Sequence, residues 1–257
     1  MIKIGIIGGS GLDDPGIIHD PEEKKVTTQY GHPSSALTLG KIKGINVVLL
    51  SRHGKKHQLT PTKVNYRANI QALKEQGVTH IVATTACGSL KKEIERGDFV
   101  ILDQFIDFTR HRQSTFYDSF ENSVEHTPMA NPFDKRLGMA LYETSVELGL
   151  KVHDKGTVIT IEGPRFSTKA ESRMFRMWGA DVINMSVATE VILANEAQIP
   201  YCAVAMSTDY DCWKEDELPV SWDEIMKVFN HNVDHVKKLL INMIPKINDL
   251  VEKKVDV

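Results

Sequence analysis

The stretch Ser207-Thr208-Asp209-Tyr210-Asp211 follows the apolar run 201–206 and sets two carboxylates where a buried strand should end. In extended backbone alternate side chains share a face, so Asp209 and Asp211 point one way and Tyr210 the other. Two acids on one face repel, and at least one gains by keeping its proton or by finding a partner that donates hydrogen bonds. No metal is expected at this pair.

Other polar groups also stand where apolar runs end. Arg52 and His53 follow "NVVLLS", and the planar arginine fork matches a phosphate or a carboxylate. The plain alternative for this dipeptide is solvated surface. "ATTACGSL" ends with Thr84, Thr85, Ala86 and Gly88, small residues that let a ligand approach the backbone; good strand packing before a turn would look the same. "GIIGGSGLDD" is a glycine turn whose N–H groups can meet an anion, with Ser10 as a hydroxyl donor. It is not a dinucleotide fingerprint, because Asp14 stands where a glycine or alanine is needed and "DDPGII" is turn-like rather than helical. A simple tight turn and a phosphate cradle both remain open. Phe166, in "EGPRFSTKAE", suits either a core position or a stack on a flat ring. Met185 and Ser186 end another strand, and methionine is adaptable packing that can also lie under a sugar. Ligands of open α/β sheets collect at the carboxyl ends of strands, where Ser10, Arg52, His53 and Thr85 all fall.

The elements that must position these groups alternate along the chain. Strands are expected at 2–7, 36–41, 46–51, 79–86, 97–105, 155–163, within "DVINM" and from 201 onwards. A helix is expected after Thr60 as N-cap with Pro61 in its first turn and Gly77 past its end. Further helices are expected over 134–148, 168–178 and 187–197. The last opens on a capping box, Ser221 with Glu224, and Pro245 is expected to end it before a frayed tail. Residues 107–132 are polar and long for a loop, as functional or interface-covering loops are. The alternation predicts an α/β fold with a mixed sheet and helices around it.

A chain of 257 residues suits one large α/β domain, here taken as 1–257. With 41% hydrophobic and 25% charged residues it reads as an ordinary globular chain. A formal net charge of −3 supplies no basic field for nucleic acid, so any anion site must be local. Cys87, Cys202 and Cys212 are odd in number and fit no metal spacing, as expected of buried reduced thiols. The start "MIKIGIIGGSG" has no basic leader segment and is too short to span a bilayer. The expectation is a cytoplasmic protein with no membrane partner.

Taken in order, "GIIGGSGLDDPGI", "SRHG", "VNYRANIQALKEQG", "TTACGSL", "LDQFIDFT", "IEGPRFST", "WGADVINMS" and "STDYDCWKE" resemble the purine nucleoside phosphorylase and methylthioadenosine phosphorylase family, from about residue 2 to 245. The resemblance implies a central mixed, partly barrel-like β-sheet surrounded by helices. It implies phosphorolysis of S-methyl-5′-thioadenosine to adenine and 5-methylthioribose 1-phosphate, with phosphate as co-substrate and no cofactor. It assigns phosphate to Ser10, Arg52, His53, Thr85, Ala86 and Ser186, the ribose to Met185, and the purine to Phe166, Ser167, Asp209 and Asp211. It further implies that Asp209 is catalytic, donating a proton to purine N7 as the base leaves, with Asp211 supporting it. It assigns the 5′ pocket to Trp222, Ile225 and Met226, joined by His126 from a neighbouring subunit. That in turn implies a homotrimer or homohexamer with sites at subunit interfaces. Relatives that prefer inosine and guanosine carry glutamate and asparagine where Ser167 and Asp209 stand, which points this chain towards 6-amino purines. The alternative within the family is action on inosine-type or methylthioinosine substrates.

Overall fold

The computed structural model describes residues 2–8, 15–121, 125–214, 216 and 221–252. Among them the chain forms a mixed sheet with helices on both faces. Its first half gives β1 (Lys3–Gly8), β2 (His19–Lys24), β3 (Leu37–Ile42), β4 (Ile45–Ser51), α1 (Tyr66–Glu75), β5 (His80–Ser89), β6 (Phe99–Ile101) and β7 (Gln104–Phe108). Its second half gives α2 (Lys135–Glu147), β8 (Val152–His153), β9 (Thr157–Ile161), α3 (Lys169–Met177), β10 (Val182–Asn184), α4 (Val187–Glu196), β11 (Tyr201–Asp209) and α5 (Trp222–Glu252).

The central strands read as unbroken apolar runs because both of their faces are covered. Every residue of β11 is buried, and so is all of β5 except Ala86. On one face α1 and α4 pack Ile70, Leu73, Val187 and Val191 against Ile7, Leu50 and Ala83. On the other face α2 and α5 bring Leu137, Leu141, Leu240 and Ile244 against Ile4, Ile6, Val82 and Val204. A smaller cluster joins Phe175 of α3 to Ile159, Ile161 and Ile183.

Strand order runs β2-β3-β4-β1-β5-β10-β9-β7, with β11 on the other edge of β5 and then β6 and β8. The sheet therefore branches at β5, and no ladder among the described residues closes it into a ring. Strand β1 runs parallel to β5 as far as the pair Ile7 and Ala83. Strand β10 meets the same edge from the opposite direction at Gly88 and Ser89. Residues 84–87 are left without a strand on that edge, and the carboxyl ends of β1 and β10 face each other across the gap.

Several expectations change. Thr60 makes no side-chain cap; Pro61–Lys63 is a single 3-10 turn, and α1 starts at Tyr66 with the Asn65 side chain accepting from the Ala68 N–H. Proline's fixed φ and missing donor suit a tight turn as well as a helix start, and Asn65 satisfies an orphan donor that Thr60 does not. The expected strand 97–105 is two strands: β6 pairs with β11 and β7 with β9, so the chain crosses from one branch of the sheet to another. Strand β2, "HDPEEK", has no apolar run because it is an exposed edge guarded by charge and proline. Pro245 does not end the last helix, which continues to Glu252. Ile244 and Ile247, on either side of it, are fully buried, and that burial outweighs the roughly 3 kcal/mol that an interior proline costs a helix. Of the expected frayed tail 251–257, Val251 and Glu252 belong to α5 and residues 253–257 lie outside the described residues; Glu224 of the expected capping box has no described side chain.

Past Phe108 the long segment has no regular structure among its described residues, but it is tied down. Arg67 grips Asp118 and Gln113 at 2.8 Å, and Glu196 accepts from the Thr115 hydroxyl and the Phe116 N–H. The helical stretch past Pro245 is testable by substitution. Ile247→Ala is expected to lower the unfolding free energy by about 2–4 kcal/mol in urea titration. A loss below about 0.5 kcal/mol, typical of surface substitutions, would put that last stretch outside the core.

Candidate active site

A pocket opens over the gap on β5. It is lined by Thr85, Ala86, Cys87 and Gly88 from β5, by Arg52 and His53 after β4, and by Met185 and Ser186 after β10. Phe166 and Ser167 enter from the loop before α3, Asp209 and Asp211 from the end of β11, and Ile225 and Met226 from α5. The structure thus gathers twelve residues expected from sequence into one cavity. Three others are not among the described lining residues. Ser10 lies outside the described residues, the Trp222 side chain is not described, and His126 is exposed, set edge-on to Phe120 at 5.5 Å and absent from the pocket lining.

Arg52 is 1% exposed, and most of its fork is engaged by groups of the protein. Its Nε and one Nη donate to the two carboxylate oxygens of Glu190, and the other Nη donates to the Thr84 carbonyl at 2.9 Å. Tyr201 donates its hydroxyl to the same carboxylate at 2.8 Å. Burial alone would lower the Arg52 pKa, but the Glu190 carboxylate outweighs it and raises it. A guanidinium has five N–H donors, so two remain for a ligand. Sequence reasoning missed Glu190 because a glutamate in the first turn of a helix reads as an ordinary dipole partner.

Around Arg52 stand hydroxyls and a helix start. Asn184, another missed residue, accepts from Thr160 at 2.7 Å and donates to the Thr85 hydroxyl at 3.3 Å. Ser186 is the N-cap of α4, is 4% exposed, and makes no capping bond with its side chain. An uncapped helix start facing a pocket favours an anion there. His53 holds its Nδ1 2.9 Å from the Leu59 carbonyl, which can only accept, so the ring proton sits on Nδ1 and Nε2 carries a lone pair. Burial first, and then the charge of Arg52, push the His53 pKa down to about 4, leaving the ring neutral at pH 7.

The two aspartates are not related by strand alternation. Strand β11 ends at Asp209, and Asp211 has a left-handed backbone with φ +49°. Asp209 Oδ1 accepts the Asp211 N–H at 2.8 Å, and Oδ2 meets the Thr208 hydroxyl at 2.8 Å. The Asp209 pKa is raised to about 6, chiefly by burial, with Asp211's charge a smaller contribution. Asp211 is also raised by burial. Mutual repulsion, the first reason offered by sequence, is therefore secondary to desolvation. Gly88 lies beneath: a Cβ there would come within 2.8 Å of Asp209 Oδ1.

The pocket can therefore hold an anion among Arg52, Thr85 and Ser186 and a proton at Asp209. Residues 3–245 match the family model of the phosphorylase superfamily. The chain belongs to the phosphorylase superfamily. Among curated phosphorylases it is 57% identical over 250 residues to S-methyl-5′-thioadenosine phosphorylase of Xenopus tropicalis, covering 96% of this chain and 89% of that one. The Danio rerio enzyme of the same name is 55% identical over 249 residues, with the same coverage. Among solved phosphorylases, methylthioadenosine phosphorylase from Schistosoma mansoni in complex with adenine superposes with a TM-score of 0.92 at 41% identity, covering 97% of this chain and 93% of that one. A serine-to-threonine variant of the Schistosoma mansoni enzyme in complex with methylthioadenosine gives 0.91 at 40% identity, covering 97% and 92%. The likeness inferred from the ordered motifs is thus borne out.

The Arg52–Glu190 pair of this phosphorylase is testable. Glu190→Gln leaves a buried guanidinium without its counter-charge, and about 3–5 kcal/mol of stability is expected to be lost. Inorganic phosphate restores a negative partner, so it should raise the melting temperature of Glu190→Gln more than that of the wild type in a thermal shift series. Equal shifts would mean that phosphate does not reach Arg52.

Proposed function

We infer that the chain catalyses phosphorolysis of S-methyl-5′-thioadenosine, releasing adenine and 5-methylthioribose 1-phosphate. The observation that carries this reading is one pocket lined both by an anion-binding set and by a buried carboxyl raised to about 6. The names of the relatives support it, as do the adenine and methylthioadenosine bound to the Schistosoma mansoni enzyme.

Phosphate lies against the two remaining Arg52 N–H groups, the Thr85 and Ser186 hydroxyls, the Ala86 backbone and the start of α4, with Ser10 completing the cradle. Neutral His53 accepts a hydrogen bond from the one protonated oxygen of the phosphate. A phosphate oxygen attacks the anomeric carbon as the bond from that carbon to purine N9 breaks, and the bonding pair leaves with the purine. Protonated Asp209 donates to N7, so the base departs neutral and the aspartate is left ionised. Thr208 serves both states. Its single hydroxyl hydrogen points to Asp209 Oδ2 when the acid is ionised, and to the Cys87 carbonyl, 3.1 Å away, when the acid holds its proton. Asp211 accepts from the 6-amino group, Phe166 and Ser167 flank the purine, and Met185 lies along the ribose. Ile225 and Met226, with Trp222, enclose the 5′ methylthio group.

No cofactor takes part; inorganic phosphate is the co-substrate. The 5′ end is completed by His126 of a neighbouring subunit in a trimer or hexamer, and the exposed Phe120–His126 pair is consistent with burial against a second copy. The protein works in the cytoplasm.

Three outcomes test this reading. Turnover of methylthioadenosine should require phosphate and exceed that of inosine and methylthioinosine, and Asp209→Asn should shift the ratio towards the 6-oxo purines; an unchanged ratio removes the assignment. At pH 7 Asp209, at about 6, is mostly ionised, so binding methylthioadenosine without phosphate should take up close to one proton. Calorimetry in buffers of different ionisation enthalpy reads this, and a 7-deaza nucleoside, which lacks N7, should take up none. Finally, His126→Ala should raise KM for methylthioadenosine while leaving the KM for phosphate near its wild-type value.

A further inference from the structure

Behind the pocket wall, Arg112 is buried to 1% side-chain exposure in a segment with no regular structure. Its guanidinium donates in four directions. Nε reaches Glu162 Oε1 at 2.6 Å, one Nη reaches the Tyr66 hydroxyl at 2.7 Å, and the other Nη reaches the Glu162 carbonyl at 2.6 Å and the Met185 carbonyl at 3.0 Å. Glu162 returns the grip: its other oxygen accepts the N–H groups of Arg110 and His111, and Thr62 donates to Oε1 at 2.9 Å. Burial alone would raise the Glu162 pKa, but hydrogen bonds from Arg112 and from those two N–H groups outweigh it and hold it at about 2. Arg112 does not line the pocket.

We propose that Arg112 is a positioning residue for glycosyl transfer: it fixes the Met185–Ser186 peptide, the sugar floor of the pocket, from its far side. The peptide is planar, so holding the Met185 carbonyl also fixes the direction of the Ser186 N–H at the start of α4. The Met185 side chain is confined as well. Gly163, at φ +69°, sits so close that a Cβ there would overlap Met185 Sδ. Met185 thus carries a ligand contact without choosing its own place. Arg112, fastened to the end of β9 through Glu162 and to α1 through Tyr66, makes that choice. A lysine has one ammonium point and cannot serve four acceptors spread over a plane.

The inference rests on the phosphorolysis reading, and its test separates the two. Wild-type protein that fails to turn over methylthioadenosine with phosphate overturns that reading; a loss confined to variants bears on Arg112. In Arg112→Lys, kcat for methylthioadenosine should fall by about tenfold or more, because small misplacements of a bound sugar are costly in rate. The dissociation constant for adenine, measured by calorimetry, should stay within about twofold, because the base is met by Asp209 and Asp211 at the end of β11 and by Phe166 and Ser167, and not by Met185. A merely structural role would weaken both together, and that result, or wild-type kcat in folded protein, overturns the proposal. Should Arg112→Lys not fold, Glu162→Gln decides in its place. It keeps the Met185 contact but loosens its anchor, so a smaller fall in kcat with unchanged adenine affinity supports the role, and wild-type kinetics overturn it.

Discussion

Between Ala83 and Gly88 one edge of β5 has no neighbouring strand among the described residues, because β1 stops short and β10 arrives from the opposite direction. The other edge stays paired with β11 throughout, so the strand does not fray. A sheet interior is normally closed to ligands by its own ladder. Here the interruption leaves Thr85, Ala86 and Cys87 facing a cavity while the rest of β5 remains core. Much of the polar lining reaches the site from a strand end beside this gap: Arg52 from β4, Met185 and Ser186 from β10, Asp209 from β11. Long strands packed on both faces then hold those ends still.

Burial acts on the site with one cause and two signs. It disfavours charge, so it lowers His53 to about 4 and raises Asp209 to about 6. The histidine is left as a neutral acceptor and the aspartate as an acid within reach of its proton at physiological pH. Arg52 escapes this rule only because Glu190 stands against it. The pair is neutral as a whole, so a bound anion meets hydroxyls, a helix start and two spare N–H groups rather than a net positive field. That arrangement suits a co-substrate that must enter, react and leave with the sugar.

Much of this was legible in the chain. Apolar runs marked the central strands, and the small or polar residues that followed them marked the ends that line the pocket. The ordered motifs were specific enough to point to the family. Less legible were the devices behind the wall. Glu190, Asn184, Glu162 and Arg112 sit in contexts where a charged or amide residue is ordinary, and their partners lie far away in sequence, 138 positions apart for Arg52 and Glu190.

The sequence by itself determined the α/β class, the polar strand ends that meet in one pocket and the likeness to phosphorylases, since these follow from local periodicity and residue type. Only the tertiary structure decided that β5 is left open on one edge, that the helix runs past Pro245, and that burial more than a neighbouring charge raises Asp209. These are properties of how segments exclude water from one another, and no stretch of chain carries that information alone.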